Sequence, residues 1–395
     1  MARPPLEVAD VIRTAGPDFL DRYRVSLTSP QRKVLRAIQR CRTAELGGHI
    51  DSCPACGHQA ISYNSCRNRH CPKCQAGASR RWLAARQGEL LPTSYSHVVF
   101  TLPHELIPVT LQNKRVVYDL LFRASAQTLL EVAGNPKHLG AEIGFFTILH
   151  TWNQKLEFHP HVHCVVAAGG LSPDHKRWIA PRHNFFLPVR ILSTVFRGKF
   201  IAGLREAFQS GALRFYGSLR AFRSSRVFQK LIRQLFSNTW VVYSKKPFGG
   251  PEHALKYLSR YTHRIAISNH RLVSLESGRV TFRWRDSAHK NKQRLLTLKA
   301  EEFLRRLLLH VLPPSFVRIR HFGFLAHRHK RLLLPVCRQL LATRATVVKI
   351  DCSSTVLPTA TWACPQCGTE MRIIERLTAA QLMSRSPPER TLPAE

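Results

Sequence analysis

Two Cys-x2-Cys pairs stand close together near the start of the sequence, Cys53-Pro-Ala-Cys56 and Cys71-Pro-Lys-Cys74, with 14 residues between them. Each spacing makes a tight turn that points two thiolates at one tetrahedral ion, and the interval is long enough to bring the turns together. A structural zinc held by Cys53, Cys56, Cys71 and Cys74 is therefore expected. It would supply the folding free energy that residues 46–82, rich in Cys, His, Gly and Asn, cannot draw from a small core. Cys41, His49, Cys66 and His70 lie around these pairs. They make either a second zinc site, or a small buried thiol with histidines that touch DNA. Near the other end, Cys364-x2-Cys367 is half a zinc knuckle, to which Cys337 or Cys352 could contribute; a reduced, solvent-facing pair is the alternative. Six of the 11 cysteines fall between Cys41 and Cys74, a usage that points to metal in a reducing compartment and excludes a secreted disulfide scaffold.

Charge narrows the partner. The 395 residues carry 60 Lys and Arg against 24 Asp and Glu, a net +36, and 44 of the cations are Arg. Arg forks match phosphate geometry and stack on bases, so the expected partner is nucleic acid. Arg67, Arg69 and Lys73 surround the predicted zinc and are candidate DNA contacts. Residues 207–251 and 303–350 contain no acid, and carry eight and ten cations. Neither a secretory signal nor an apolar run of about 18 residues is present, which predicts no membrane association and a cytoplasmic location.

A second constellation carries chemistry. Ser96–Leu102 reads as a strand and 104–134 as helix. Phe145–Trp152 and His161–Ala168 read as an antiparallel strand pair. On a strand, His161 and His163 share one face while Val162 turns to the other, which suits a bidentate metal site. His150 lies at hairpin distance, where pairing brings it to the same ion. Gly249-Gly250-Pro251-Glu252 reads as a helix start, and on that helix Tyr257 and Tyr261 share a face, flanked by Arg260 and Arg264. A phenol with a reference pKa near 10 attacks phosphate only with help, which a metal on the phosphate provides. Three imidazoles by themselves suggest zinc, copper, iron or nickel. Ile265–Leu275 and Arg279–Arg285, flanking Ser277-Gly278, read as a hairpin.

The strings LHTWNQKLEFHPHVHCVVAAGGL and ALKYLSRYTHRIAISNHRL resemble the rolling-circle transposases of bacterial insertion sequences, two-tyrosine members of the HUH (His-hydrophobe-His) endonuclease superfamily. GGHIDSCPACGH and NSCRNRHCPKCQ resemble that family's zinc-binding module, and IRHFGFLAHRHKR its C-terminal stretch. The resemblance implies an α+β fold: a ferredoxin- or RRM-like nuclease sheet with helices, preceded by a small zinc module. The resemblance covers most of residues 40–330; taken with the residue patterns along the chain, it divides the chain into a helical segment 1–45, the zinc module 46–82, the nuclease 90–300, a basic helical region 301–345 and a Cys-x2-Cys tail 346–395. It further implies Mg or Mn at His161 and His163, with His150 matching a third His by spacing. Tyr257 and Tyr261 match the nucleophiles that leave a 5′-phosphotyrosine on single-stranded DNA at element ends and target, at the bacterial nucleoid. The chain lacks a Gly-x4-Gly-Lys-Ser/Thr phosphate loop, so a host helicase is expected. A plasmid replication initiator or relaxase would use the same chemistry. A zinc-ribbon DNA-binding regulator would leave the His and Tyr residues unused.

Overall fold

The computed structural model describes residues 4–181, 187–248, 266–286, 289–342 and 362–384. Strands β1–β13 and helices α1–α10 are numbered in chain order. Antiparallel sheets and helices are mixed, and the chain divides into two units: Met1–Ala78 with Ile267–Val311 and Ile350–Glu395, and Ser79–Ala266 with Leu312–Lys349. The units do not follow sequence order, because pairing of Arg372–Leu377 with Gly48–Ser52, pairing of Ile319–Gly323 with Gly144–Trp152, and packing of the helix Ala300–Leu309 on the helix Val8–Arg22 gather distant segments. Residues 267–300, expected with the nuclease, fall with the cysteine-rich segment instead.

In the first unit, α1 (Val8–Arg22) packs on α2 (Ser29–Arg40). Thr28 and Gln31 form a capping box at the start of α2, and Val34, Leu35 and Ile38 bury its apolar stripe. β1 (Gly48–Ser52) and β2 (Gln59–Tyr63) make a hairpin, and β13 (Arg372–Leu377) adds a third antiparallel strand against β1. The first turns of α3 (Pro72–Gln87) carry Lys73 and Cys74. β9 (Leu272–Glu276) and β10 (Arg279–Asp286) form the expected hairpin, with Ser277 and Gly278 both at positive φ, as a two-residue turn requires. β11 (Lys292–Lys299), α8 (Ala300–Leu309) and the short α10 (Ala379–Ser384) complete it.

The second unit is built on a five-stranded antiparallel sheet in the order β12-β4-β5-β3-β8. Its middle strand is β5 (Phe158–Ala167), flanked by β4 (Gly144–Trp152) and β3 (Tyr95–Thr101), with β12 (Ile319–Gly323) and β8 (Val242–Phe248) at the edges. The sheet is antiparallel and carries the His161–His163 pair on its central strand. The helical stretch 104–134 is broken at Asn113, between α4 (Ile107–Gln112) and α5 (Lys114–Gly134). On the face bearing Phe100 and Val162, α6 (Val189–Gln209) brings Phe196 to 4.9 Å from the Phe100 ring and packs on α5 and α7 (Ser225–Ser237). The opposite face buries Tyr95, Phe146, Ile148 and Val165. They pack with Phe324, with Leu334 and Cys337 of α9 (His327–Ala342), and with the small ladder β6 (Gly170–Leu171) and β7 (Trp178–Ile179). Burial on both faces explains why β5 reads as a nearly continuous apolar run after the histidines.

Gly323 ends β12 at φ 61°, and a Cβ there would overlap the Ile143 carbonyl oxygen. Only glycine fits so close an approach. β12 itself escaped the sequence reading, being five residues inside a basic stretch otherwise helical in pattern.

Candidate functional site

The apolar layer of Phe146, Ile148 and Val165 gives way to imidazoles along the same sheet face. Register sets this: His150 on β4 lies directly opposite His161 on β5, and Ile148 lies opposite His163. His161 and His163 alternate with the fully buried Val162, so both rings project on one side. Their Nε2 atoms are 3.0 Å apart, and a ligand atom of buried His150 lies within 4.8 Å of both. His150 is itself held by stacking on Trp152, with ring centroids 4.5 Å apart.

Neighbours orient both rings. His161 Nδ1 is 2.6 Å from the His159 carbonyl oxygen, so Nδ1–H donates there and Nε2 keeps its lone pair. His163 Nδ1 is 2.8 Å from Nε2 of His97, whose ring lies within 3° of parallel to that of His163. This in-line bond leaves His163 Nε2 facing His161. Desolvation brings His161 down to about 4 and holds His163 well below the ordinary imidazole range, with His150, His161 and His97 adding to the effect. Both rings are thus neutral at pH 7, the ligating form. Two nitrogens held about 2.1 Å from one ion stand about 3.0–3.4 Å apart, so the observed spacing suits joint ligation of one ion. His97 was missed from the sequence because β3 lies 66 residues before His163 and no motif links them.

The cysteines regroup. Cys53, Cys56, Cys71 and Cys74 do not converge. Instead Cys71 and Cys74 join Cys41 and Cys66, and Cys53 and Cys56 join Cys364 and Cys367, each set having its four sulfurs within 4.8 Å of one another. The reason is the β1–β2 hairpin. Cys53 and Cys56 form its turn, whereas Arg42 and Asn64 bond to each other at its open end, beside Cys41 and Cys66. Five residues at about 3.4 Å each put those ends roughly 15 Å apart, too far for one ion. In the first set Cys74 Sγ is 3.6 Å from the sulfurs of both Cys41 and Cys66. That is near the edge of about 3.8 Å of a tetrathiolate around zinc, and far beyond a disulfide of about 2.05 Å. Hydrogen bonding from Cys66 and Cys71 brings the Cys41 thiol down to about 7, and Cys41, Cys66 and Cys71 together lower Cys74.

His49 and His70 stay outside both sets: His49 Nε2 sits 3.5 Å from an Asp51 carboxylate oxygen, and His70 Nδ1 lies 3.1 Å from Asn68 Oδ1. Of the other thiols, Cys337 is buried in the apolar cluster under the sheet, and Cys352 lies outside the described residues. Arg67 and Arg69 are exposed, as a phosphate contact requires. Lys73 is not available for that role, because its Nζ pairs with Glu7 at 2.6 Å and both side chains are almost fully buried. Its ammonium also donates to the Cys41 carbonyl, so it braces the cysteine loop. Tyr257, Tyr261, Arg260 and Arg264 lie outside the described residues. Among the described residues no helix is long and apolar enough to cross a membrane.

Comparison with known proteins gives concordant matches. Residues 144–332 match the family described as "Putative transposase", and residues 11–102 match the "Transposase zinc-binding domain". The chain is 52% identical over 341 residues to "Putative transposase y4qJ" of Sinorhizobium fredii, covering 86% of this chain and 85% of that protein. It is 30% identical over 312 residues to the transposase for insertion sequence element IS801 of Pseudomonas savastanoi pv. phaseolicola, covering 76% and 70%. No solved structure matches it.

Proposed function

The chain belongs to the insertion-sequence transposases of the IS91 and IS801 kind, and we propose that it cuts and rejoins single-stranded DNA through a phosphotyrosine during rolling-circle transposition. The observation that carries this reading is the convergence of His150, His161 and His163 on the middle of the sheet. These three would hold one Mg or Mn ion, which supplies positive charge to the scissile phosphate. The His159 carbonyl keeps His161 in the ligating tautomer, and the hydrogen bond between His97 Nε2 and His163 Nδ1 holds the His163 ring in place.

Tyr257 and Tyr261 are the proposed nucleophiles. A phenol oxygen bonds to phosphorus, the bond from phosphorus to the 3′ oxygen breaks, and the phenol proton is taken up as the 3′ hydroxyl leaves. The 5′ end stays on the tyrosine with the energy of the broken diester conserved, so a 3′ hydroxyl of another strand can reverse the step. On the helix expected from the sequence four residues would rise roughly 6 Å, so two tyrosines at one site would let the chain hold one end while it attacks a second strand. Cys41, Cys66, Cys71 and Cys74 would form the closed zinc site of the zinc-binding domain, with no position left for a substrate. Arg67 and Arg69 would grip phosphates beside it. Strand separation falls to a helicase acting in trans.

The test uses a labelled single-stranded oligonucleotide carrying the element end, run on a denaturing protein gel. Wild type forms a shifted covalent band, and Tyr257→Phe with Tyr261→Phe together forms none. A shifted band from the double variant would place the nucleophile elsewhere.

A further inference from the structure

We infer that a second zinc ion is held by Cys53, Cys56, Cys364 and Cys367, and that it clasps the β1–β2 hairpin to the segment carrying β13. Two independent features of the chain carry this. The first is convergence: Cys53 and Cys367 place their sulfurs 3.4 Å apart, Cys56 and Cys364 theirs 3.6 Å apart, and all four sulfurs lie within 4.8 Å, across a separation of more than 300 residues. These distances lie well beyond a disulfide of about 2.05 Å and close to the sulfur–sulfur edge of about 3.8 Å around a tetrahedral zinc.

The second feature is that both halves are built alike. Each reads Cys-Pro-x-Cys-Gly: Cys53-Pro54-Ala55-Cys56-Gly57 and Cys364-Pro365-Gln366-Cys367-Gly368. In each, the glycine N–H donates to the first cysteine's carbonyl at 2.9 Å. The first cysteine's N–H donates at 2.8 Å to the residue after the glycine, His58 in one and Thr369 in the other. Gly57 and Gly368 adopt φ 71° and 76°, and a Cβ on either would meet nothing within 4 Å, so backbone conformation and not space requires glycine there. Two copies of one knuckle facing each other form a closed four-thiolate site, the donor set of structural zinc.

The surroundings need such an ion. Behind the knuckles, among the described residues, Cys53, Cys364 and Met371 form a small buried cluster against which partly buried Ala60 packs. So small an apolar group contributes little at the knuckles themselves, where an ion would supply the folding free energy. The clasp differs from the Cys41 site in purpose, since every ligand there comes from one stretch of chain.

Zinc content of the purified full chain decides the matter. Wild type should hold two zinc ions per chain. Cys53→Ser/Cys56→Ser and Cys364→Ser/Cys367→Ser should each hold one. The quadruple variant should also hold one, because both pairs serve the same ion, and its remaining zinc reports that the rest of the module is folded. Thiol labelling of the wild type provides a readout that needs no variant. Cys56 and Cys367 are exposed, yet they should resist alkylation until a chelator is added. Two zinc ions in the Cys364→Ser/Cys367→Ser variant, iron in place of zinc, or free-thiol labelling rates at Cys56 and Cys367 in the zinc-loaded chain would overturn the assignment.

Discussion

His97→Leu removes the ring that hydrogen-bonds His163 Nδ1 at 2.8 Å, while filling nearly the same volume in a position only 5% exposed. The sheet should therefore keep its packing, and the effect should fall on the metal site. Loss of an outer partner of a ligating histidine costs about 10–100-fold in metal affinity, or about 1.4–2.7 kcal/mol. An independent route gives the same range, since leaving a buried polar nitrogen without its partner costs about 1–3 kcal/mol. The assay follows nicking of a single-stranded oligonucleotide against Mn concentration. The half-saturating Mn concentration should rise by about 10–100-fold, and cleavage should return toward wild type once the metal saturates. Oligonucleotide binding without divalent ion should not change. His97→Gln, which offers both a donor and an acceptor, should recover most of the lost affinity. An unchanged Mn requirement would refute the positioning role. Cleavage lost at every Mn concentration would instead make His97 part of the reacting centre.

Two stability predictions rest on the same sheet. Gly323→Ala forces a Cβ onto the Ile143 carbonyl at a positive φ, and should destabilise the chain by about 3 kcal/mol or more through loss of the β12–β4 pairing; an unshifted thermal midpoint would contradict the register. Burial, followed by the nearby Arg86 charge, lowers His321 on β12 to about 4, below its ordinary value of about 6.5, so the fold holds it neutral. That stability is complete above about pH 6.5 and is lost as pH falls toward 4, by about 2 kcal/mol once partial exposure is allowed for. His321→Phe should therefore lose less stability than wild type between pH 7 and pH 4, as read from thermal midpoints; equal slopes would refute the assignment.

What the sequence disclosed depended on how local the physics was. His161 and His163 are legible because a strand has period two, and His150 because a hairpin brings a fixed interval into register. His97 needs knowledge that β3 pairs with β5, which no local pattern contains. The cysteine spacing carried a wrong inference for the same reason. It suggests that two close pairs meet, yet the five-residue ladder of the hairpin holds Cys53 and Cys56 at one end and Cys41 and Cys66 at the other. Lys73 shows the limit of reading charge: a cation among cations looked solvent-facing until Glu7, distant in sequence, was found beneath it. The turn at Ser277-Gly278 was legible because two adjacent positive φ angles have few sequence solutions.

The third strand of the cysteine sheet has a consequence for synthesis. β1 and β2 leave the ribosome first, and β13, which pairs with β1, follows only after more than 300 further residues. At about 5–20 residues per second, that interval lasts roughly 15–60 s. Throughout it the nascent hairpin has an open strand edge, and the thiols of Cys53 and Cys56 wait without Cys364 and Cys367. A chaperone or a competing thiol meets a half-finished sheet for the whole of that time. Completion of the sheet begun by β1 and β2 is thus delayed until β13 is read, and only a polypeptide translated through Leu377 owns the strand that closes it.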